Sequence, residues 1–358
     1  MPSKGFSPGD VLGGKYRLTE LVGEGGMGSV WSARHLLLDR DCAVKLLSRN
    51  GGSRQSQAER FTREAKIAAS LRHKNVVDLF DFGEAESGDF FMVMEWLEGE
   101  SLSTRLGRAP TLPLRELIGI LSEALAGLAA VHERGIVHRD LKPENIFLAK
   151  EDGEVIPKLL DFGVSRLRRG LEGPSLTGTG STVGTPHYMS SEQVRGARDL
   201  DGRADLYSIG VILFRSVMAR FPFEAEELTD LLLQLANQPA PRLVPLRLET
   251  GEGLSAVIDR ALSRDRNDRF SNAYEMRRAL LATLDAVSPT VPCQWRRSES
   301  ELPFDSPTQN SPYPWRHTPG ADAAGLTARP LWLNQWRRLI PLGLAALVVG
   351  AAWLLTSR

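Results

Sequence analysis

Hydrophobic positions change their spacing once along the chain, near residue 100. Before that point, short strand-like runs predominate, and one intervening segment, residues 58–71, places Phe61, Ala65 and Ala68 at helical spacing. The strand-like runs are YRLTELVG, GSVWSARHL, DCAVKLL, VVDLFDFGE and FFMVMEWL. Helical periodicity then dominates in LRELIGILSEALAGLAAVHERG, DLYSIGVILFRSVMA, LSAVIDRALSR and AYEMRRALLATLDAV. The pattern predicts an α+β protein with a small β-rich lobe, carrying one main helix, and a larger α-helical lobe.

The composition of the chain changes again at about residue 286. Residues 1–15 are an N-terminal extension and residues 16–285 are the globular domain, whereas residues 286–338 are rich in Pro, Ser and Gly and lack an apolar period. Such a composition predicts a disordered tether. The alternative is that Trp295 and Trp315 dock this stretch on the globular part.

An uncharged apolar segment, LIPLGLAALVVGAAWLL, occupies residues 339–355. A membrane span needs about 20 apolar residues, within a range of roughly 17–25, and the segment is just long enough. Trp336, Arg337 and Arg338 supply the aromatic and basic flank that a membrane interface favours. We expect a single-pass transmembrane helix in the cell membrane, with the globular part in the cytoplasm and residues 356–358 on the other side. A buried core helix is the alternative.

The overall composition argues against several classes of protein. The formal net charge of the 358 residues is zero, and 42% of them are hydrophobic. This content suffices for a sizeable core, and the charge does not favour a nucleic-acid partner. The two cysteines, Cys42 and Cys293, do not suggest a disulfide framework and fit a reducing compartment. The N-terminus has no apolar stretch of signal-peptide length.

A glycine-rich loop, GEGGMGSV, lies between two predicted strands at residues 23–30. Because glycine has no Cβ, its backbone N–H groups can approach phosphates closely. A dinucleotide-binding loop would open a helix, whereas here the next segment looks like a strand. The loop therefore fits a flap over nucleotide phosphates, and a plain glycine-rich hairpin is the alternative.

Lys45 follows Ala43 and Val44 in an apolar strand pattern. An unpaired buried ammonium group is costly, so the lysine needs a partner. Glu64 on the following helix and the phosphate oxygens of ATP are the two candidates. In the alternative interpretation the Lys45 side chain simply reaches solvent.

The string VHRDLKPENIFL, followed by KLLDFG, carries the most specific chemistry. Mg²⁺ prefers oxygen ligands, which Asn145 and Asp161 supply. Phosphoryl transfer also needs a carboxylate to hold the acceptor hydroxyl and a cation near the transferred group. Asp140 and Lys142 are the residues of those types. His138 is interpreted as a structural residue of this loop.

These motifs, in this order, resemble the eukaryotic-type (Hanks-type) protein serine/threonine kinases, including their membrane-anchored bacterial members. The resemblance covers roughly residues 16–284. It implies the bilobal protein-kinase fold, ATP and Mg²⁺ (or Mn²⁺) as cofactors, and Ser/Thr hydroxyls of proteins as acceptors. It also implies that Asp140 is the catalytic base and that Asn145 and Asp161 are metal ligands. Lys142 is the catalytic cation that neutralises charge on the transferred phosphoryl group.

The same resemblance implies an ATP site and a substrate loop. The residues around ATP are Val22, Gly23, Glu24, Gly25, Gly26, Met27, Gly28, Ser29, Val30, Ala43, Lys45, Glu64, Met94, Glu95, Leu97 and Phe147. Met94 matches the gatekeeper, Glu95 begins the hinge to adenine, and Phe147 matches the adenine floor. Thr185, in the string GTPHYM, resembles the residue that hydrogen-bonds Asp140 and Lys142, and with Lys142 it indicates Ser/Thr specificity.

Arg139 precedes Asp140, where an arginine can pair with a phosphate on the loop that follows Asp161. The acceptors in that loop are Thr177, Thr179, Ser181 and Thr182. We therefore predict autophosphorylation, with Thr179 or Thr182 favoured, for which a homodimer would be a suitable arrangement. A flexible polar loop without a switch is the alternative.

The chain departs from the family pattern near this loop. Ser191 precedes Glu192 where proline is usual, and Arg266 follows Asp265 where proline is again usual. The family pattern pairs Glu192 with Arg269, and it makes Asp205 the buried aspartate that braces the catalytic loop. Further along the chain, Arg215 stands where an acidic residue is usual and Ala219 where glycine is usual.

Two rival functions remain on the sequence alone. A pseudokinase that acts as a membrane scaffold would share the fold, although every group needed for catalysis is present. A small-molecule kinase is disfavoured by the extended substrate loop, residues 184–192. The six histidines have no metal-ligand spacing.

Overall fold

The computed structural model describes residues 5–25, 28–47, 54–108, 112–161, 186–243 and 251–287. All of them belong to one structural unit, Met1–His317. Several predicted features lie outside these ranges, namely Gly26, Met27, Thr177, Thr179, Ser181, Thr182, Thr185, the tether beyond Val287 and the segment 339–355. Within the described ranges, no helix combines the length and the apolar character that crossing a membrane requires.

The N-terminal lobe is built on a six-stranded antiparallel sheet with the order β1-β2-β3-β4-β6-β5. Its strands are β1 Val11–Leu12, β2 Tyr16–Gly25, β3 Gly28–His35, β4 Arg40–Leu47, β5 Leu79–Glu84 and β6 Phe90–Glu95. Helix α1, Arg54–Ala69, connects β4 to β5. Successive residues of a strand face opposite sides of the sheet. Ala43 therefore packs in the large hydrophobic cluster that continues into the C-terminal lobe, the main core, whereas Val44 packs in a smaller cluster on the other face of the sheet. Lys45 is two residues from Ala43 and therefore shares its face.

The C-terminal lobe is mainly helical. It begins with strand β7, Gly99–Ser101, helix α2, Leu102–Gly107, and the long helix α3, Leu114–Glu133. The hairpin β8, Ile146–Glu151, and β9, Glu154–Leu159, forms a second antiparallel sheet with β7. The remaining α-helices in the described ranges are α4 Ser191–Val194, α5 Arg203–Met218, α6 Leu228–Asn237, α7 Gly251–Ala261 and α8 Ala273–Leu281.

Helix α5 is the centre of this lobe, since every residue from Ala204 to Val217 is buried. A helix that is buried all round needs apolar or internally bonded residues on every face. Ser216 meets this requirement by donating to the Ile212 carbonyl of its own helix, and Ser208 by donating to the Tyr188 carbonyl over 2.9 Å. The described chain ends at Val287, which is 1% exposed and packs in the main core.

The predicted two-lobed architecture is confirmed. The main differences are in detail: helix α1 begins at Arg54 rather than at residue 58, and the β8–β9 hairpin was not predicted. A local signal for that hairpin was present in Asp152-Gly153, whose φ angles are 49° and 89°. An Asp-Gly pair with both φ angles positive is the preferred two-residue hairpin turn.

The end of helix α5 provides a test of local strain. Ala219 follows the last helical residue and has φ 55° and ψ 21°, and its N–H donates to the Arg215 carbonyl over 2.8 Å. Only glycine adopts this left-handed conformation without steric cost, which is about 1 kcal/mol for other residues. We expect Ala219→Gly to raise the unfolding midpoint by roughly 2–4 °C in thermal denaturation.

The matched control for this prediction is Ala279→Gly, inside helix α8. There the same substitution removes helix propensity and should lower the midpoint. A midpoint for Ala219→Gly that falls as far as that of the control would contradict the strain at Ala219.

Candidate active site

One buried carboxylate organises the loop between α3 and β8. Asp205, in the first turn of α5, accepts the backbone N–H of His138 over 2.9 Å and that of Arg139 over 2.8 Å. Its Oδ2 also lies 2.7 Å from His132 Nε2. Burial alone would raise the pKa of Asp205, but the hydrogen bond and charge of His132 outweigh it, and the pKa is lowered. The prediction that Asp205 braces this loop is confirmed.

The backbone of this loop is strained where Asp205 holds it. Arg139 has φ 69°, in the left-handed region that non-glycine residues rarely occupy. His138 is fully buried and its Nε2 lies 2.7 Å from the Leu160 carbonyl oxygen, so the loop is also tied to the residue before Asp161. His138 therefore has the structural position that its sequence context suggested.

Asp140, Lys142 and Asn145 lie together just beyond this brace. Lys142 Nζ is 3.6 Å from Asp140 Oδ2, and both side chains are partly exposed. The Asn145 amide donates to the Asp140 carbonyl oxygen over 2.5 Å, and the Leu160 N–H donates to the Asn145 carbonyl over 2.9 Å. The side-chain oxygen of Asn145 is not used in this bond to Asp140.

Asp161 meets Lys45 across the two lobes. Lys45 Nζ and Asp161 Oδ2 form an ion pair in which the side chains are only 2% and 8% exposed. Sequence reasoning offered Glu64 or ATP as the partner of Lys45 and missed Asp161. Glu64 lies on α1, but its side chain is outside the described part of the structure. Asp161 has φ 57°, so this second site residue also has a strained backbone.

The glycine-rich segment lies between two paired strands, β2 and β3, as predicted. Its register pairs Gly23 with Val30, Glu24 with Ser29 and Gly25 with Gly28. Gly28 has φ 122°, and a Cβ there would stand 1.9 Å from the Leu46 carbonyl oxygen. Only glycine fits at this position, because the hairpin packs directly on β4.

The residues predicted to surround adenine line the junction of the lobes. Ala43 and Met94 are paired neighbours on β4 and β6. Both belong to the main core, with Leu97 and with the fully buried Phe147 on β8. Glu95 ends β6 and begins the connection between the lobes. Val22 and Val30 lie on the two strands of the glycine-rich hairpin.

Helix α4 fastens the far side of the site. The Gln193 side chain donates to the Arg139 carbonyl over 2.7 Å and accepts from the Ser190 N–H over 3.1 Å. Sequence reasoning did not identify Gln193, since a glutamine in a helix gives no signal of a distant bond. Next to it, Glu192 accepts two hydrogen bonds from Arg269, of 2.7 and 2.9 Å, as predicted.

The Glu192–Arg269 pair is almost completely enclosed. The Arg269 side chain has no exposed surface and also donates to the carbonyls of Ser263, Arg203 and Arg264. Burial would raise the pKa of Glu192, but the hydrogen bonds of Arg269 outweigh it, and the pKa is lowered. The pair therefore remains charged and holds α4 against the base of the lobe.

Comparison with known proteins identifies the class. Residues 16–281 match the protein kinase domain family, which is most of the chain, so the chain belongs to this family. It is 40% identical over 286 residues to the serine/threonine-protein kinase pkn2 of Myxococcus xanthus, covering 79% of this chain and 34% of that protein. To pkn3 of the same organism it is 36% identical over 334 residues, covering 91% of this chain and 59% of that protein.

Other relatives give the same result. The identity to the serine/threonine-protein kinase PrkC of Bacillus subtilis is 31% over 278 residues, which cover 78% of this chain and 42% of that protein. The chain thus spans between 34% and 59% of the length of these three curated relatives. A solved structure of the kinase domain of Mycobacterium tuberculosis PknI, a double mutant, superposes with a TM-score of 0.61 at 25% identity, covering 78% of this chain and 99% of that domain.

His187 allows a test of pH dependence. Its ring stacks on Phe221 with 4.1 Å between centroids, and burial together with the nearby charge of Arg215 lowers its pKa from the ordinary 6.5 to about 4. Between these values the unfolded chain binds a proton that the folded protein does not, so stability falls as the pH decreases from 6.5 to about 4. The expected loss from this residue is up to about 3 kcal/mol.

His187→Phe keeps the stacked ring and removes the titrating group. In urea denaturation, we expect the variant to lose less stability than the wild type between about pH 6.5 and pH 4, while the two curves run parallel above pH 7. Identical pH profiles for both proteins would contradict a neutral, buried His187.

Proposed function

We propose that this chain is an ATP-dependent protein serine/threonine kinase that transfers the γ-phosphoryl group of ATP to Ser/Thr hydroxyls of proteins. The observation that carries the proposal is the convergence of Asp140, Lys142 and Asn145 with the Lys45–Asp161 pair at the junction of the lobes. Membership of the protein kinase domain family and the names of the curated relatives support it.

The proposed nucleotide site lies between the β2–β3 hairpin and the connection that follows Glu95. The hairpin backbone would cover the phosphates, because glycine has no Cβ and its N–H group can approach them closely. Lys45 would bind the α- and β-phosphates from a site in which it is 2% exposed, so its charge is little screened by water. Ala43, Met94 and Phe147 would enclose the adenine with apolar surface.

The residues near Asp161 fit a divalent cation. Asp161 Oδ1 is buried and has no hydrogen-bond partner among the described residues, the state expected of a carboxylate oxygen that serves as a metal ligand. Asn145 would supply the second protein ligand, and an Asn–Asp oxygen pair suits Mg²⁺. When bound, Mg²⁺ supplies charge neutralisation at the phosphates of ATP.

Asp140 would hold the acceptor hydroxyl in line with the γ-phosphorus and accept its proton. Its side chain is 26% exposed, so a protein substrate can reach it. Lys142, 3.6 Å away, would stabilise the negative charge on the transferred phosphoryl group. Since Asp205 and Gln193 fix the backbone at Arg139, the Asp140 carboxylate is positioned before the substrate arrives.

The decisive experiment measures phosphate transfer from labelled ATP to a generic basic protein. Asp140→Asn removes the base without changing the shape of the side chain, and we expect at least a ~10²-fold loss of rate. Asp152→Asn, in the exposed β8–β9 turn, is the matched control and should retain the wild-type rate. Phosphoamino-acid analysis of the product should give phosphoserine or phosphothreonine.

Two results would overturn this proposal. Transfer by Asp140→Asn at the wild-type rate would exclude the assigned base. Wild-type protein that binds ATP without any transfer would favour the pseudokinase.

We further propose that the kinase is anchored in the cell membrane by residues 339–355, with its catalytic part in the cytoplasm, and that it autophosphorylates between residues 177 and 182. The uncharged apolar run and its Trp336–Arg338 flank support the anchor. Arg139, adjacent to Asp140, and the hydroxyls at residues 177–182 support the modification. Anchoring raises the local concentration of kinase and therefore favours trans-phosphorylation.

Deletion of residues 339–358 tests both ideas together. We expect the intact chain to sediment with membranes and the deleted chain to remain soluble. Mass spectrometry should find less phosphate on residues 177–182 of the deleted form in cells, while the purified activities of the two forms agree. An intact chain that stays soluble would refute the anchor, and equal phosphorylation of both forms would refute its role in activation.

A further inference from the structure

A partly buried charge cluster lies at the start of the connection between the lobes. Lys158, on β9, places its Nζ 3.1 and 3.2 Å from the two carboxylate oxygens of Glu95 and 3.0 Å from Glu151 Oε1. The Lys158 side chain is only 9% exposed and that of Glu95 only 16%. The chemistry assigned above gives no role to Lys158 or Glu151.

The cluster is charged in spite of its burial. Burial would lower the pKa of Lys158, but the hydrogen bonds and charges of Glu151 and Glu95 outweigh it, and the pKa is raised. Replacing a buried ion pair by well-packed apolar residues of similar volume often leaves the stability of a fold unchanged or raises it. A buried pair is better suited to fixing one arrangement of the elements that it joins.

Glu95 is fastened at both its backbone and its side chain. Its carboxylate accepts the Asp78 N–H over 2.8 Å, and its own N–H donates to the Asp78 carbonyl over 3.0 Å. Glu95 is the first residue of the connection between the lobes. The two hydrogen bonds with Asp78 and the ion pair with Lys158 together determine where the connection starts.

Lys158 is at the same time part of the path to the metal-ligand edge. The two residues that follow Lys158 form backbone hydrogen bonds with two different segments. The Leu159 N–H donates to the Asn75 carbonyl over 2.9 Å, and the Leu160 N–H donates to the Asn145 carbonyl over 2.9 Å. Asp161 follows directly. Two hydrogen-bonded contacts, Lys158 with Glu95 and Leu160 with Asn145, are therefore joined by the short stretch of β9 backbone that leads to Asp161.

We propose that Lys158 is a positioning residue for the nucleotide: by holding Glu95, it fixes the adenine-binding connection, residues 95–98, relative to Asn145 and Asp161, so that one ATP molecule engages both edges of the site. This inference rests on the proposed kinase function. It predicts that loss of the Lys158 charge weakens the binding of ligands that contact both residues 95–98 and the metal ligands more than the binding of ligands that contact only one of them.

The test compares Lys158→Met with Lys158→Arg in the intact chain. We expect Lys158→Met to raise KM for ATP about fivefold with kcat changed less than twofold, and Lys158→Arg to restore the wild-type KM. The inhibition constant of adenosine, which does not reach the metal ligands, should rise less than KM for ATP. Lys150→Met, on the neighbouring strand β8 and exposed, is the matched control and should change neither constant.

A double-mutant cycle and calorimetry complete the test. If the two residues act as one unit, Glu95→Gln added to Lys158→Met should raise KM no further. Calorimetric affinities for Mg²⁺–ATP, with thermal midpoints, separate positioning from loss of fold. An unchanged KM and affinity for ATP in Lys158→Met would overturn the inference. An equal rise in the inhibition constant of adenosine and in KM for ATP would also overturn it. Absence of Asp140-dependent transfer in the wild type would instead refute the kinase function, while the calorimetry would still test Lys158.

Discussion

The carboxylate of Asp205 is the constraint on which the site depends. It accepts two consecutive backbone N–H groups, from His138 and Arg139, and is itself only 1% exposed. A buried carboxylate with these bonds resists displacement, because every alternative leaves a charge or a donor unsatisfied. Arg139 can therefore keep its strained φ of 69°. Asp140 is the next residue, so its direction is fixed by helix α5 and not by the loop that carries it.

The rest of the site is fixed in the same manner, by bonds between backbones that are distant in sequence. His138 contacts the Leu160 carbonyl, and the Leu160 N–H donates to the Asn145 carbonyl. The loop of Asp140 and the segment that leads to Asp161 are consequently one hydrogen-bonded unit. The Lys45–Asp161 pair then joins this unit to the sheet of the other lobe. Residues on loops thus acquire the precision of residues on regular elements.

Sequence patterns predicted the two lobes and most of their elements, because strand and helix periods are local properties. Motif order predicted the Glu192–Arg269 pair and the role of Asp205, because these residues are tied to recognisable strings. The partners found only in the structure join positions that no local pattern relates. Lys45–Asp161, Lys158–Glu95 and the bond of Gln193 to Arg139 span 116, 63 and 54 residues. Such contacts depend on the tertiary packing of segments that are far apart in the chain, which local sequence patterns do not encode.

The two missing prolines show how the chain conserves this framework with different chemistry. Proline would stiffen the backbone by limiting φ. Ser191 instead donates from its Oγ to the Arg264 carbonyl over 3.2 Å, and Arg266 donates to the Asp199 carbonyl over 2.8 Å. These hydrogen bonds restrain the same two segments through contacts with distant residues, whereas proline would restrain them through its own backbone dihedral angle. The Glu192–Arg269 pair forms without the two prolines, and Gln193 of α4 still bonds the Arg139 carbonyl.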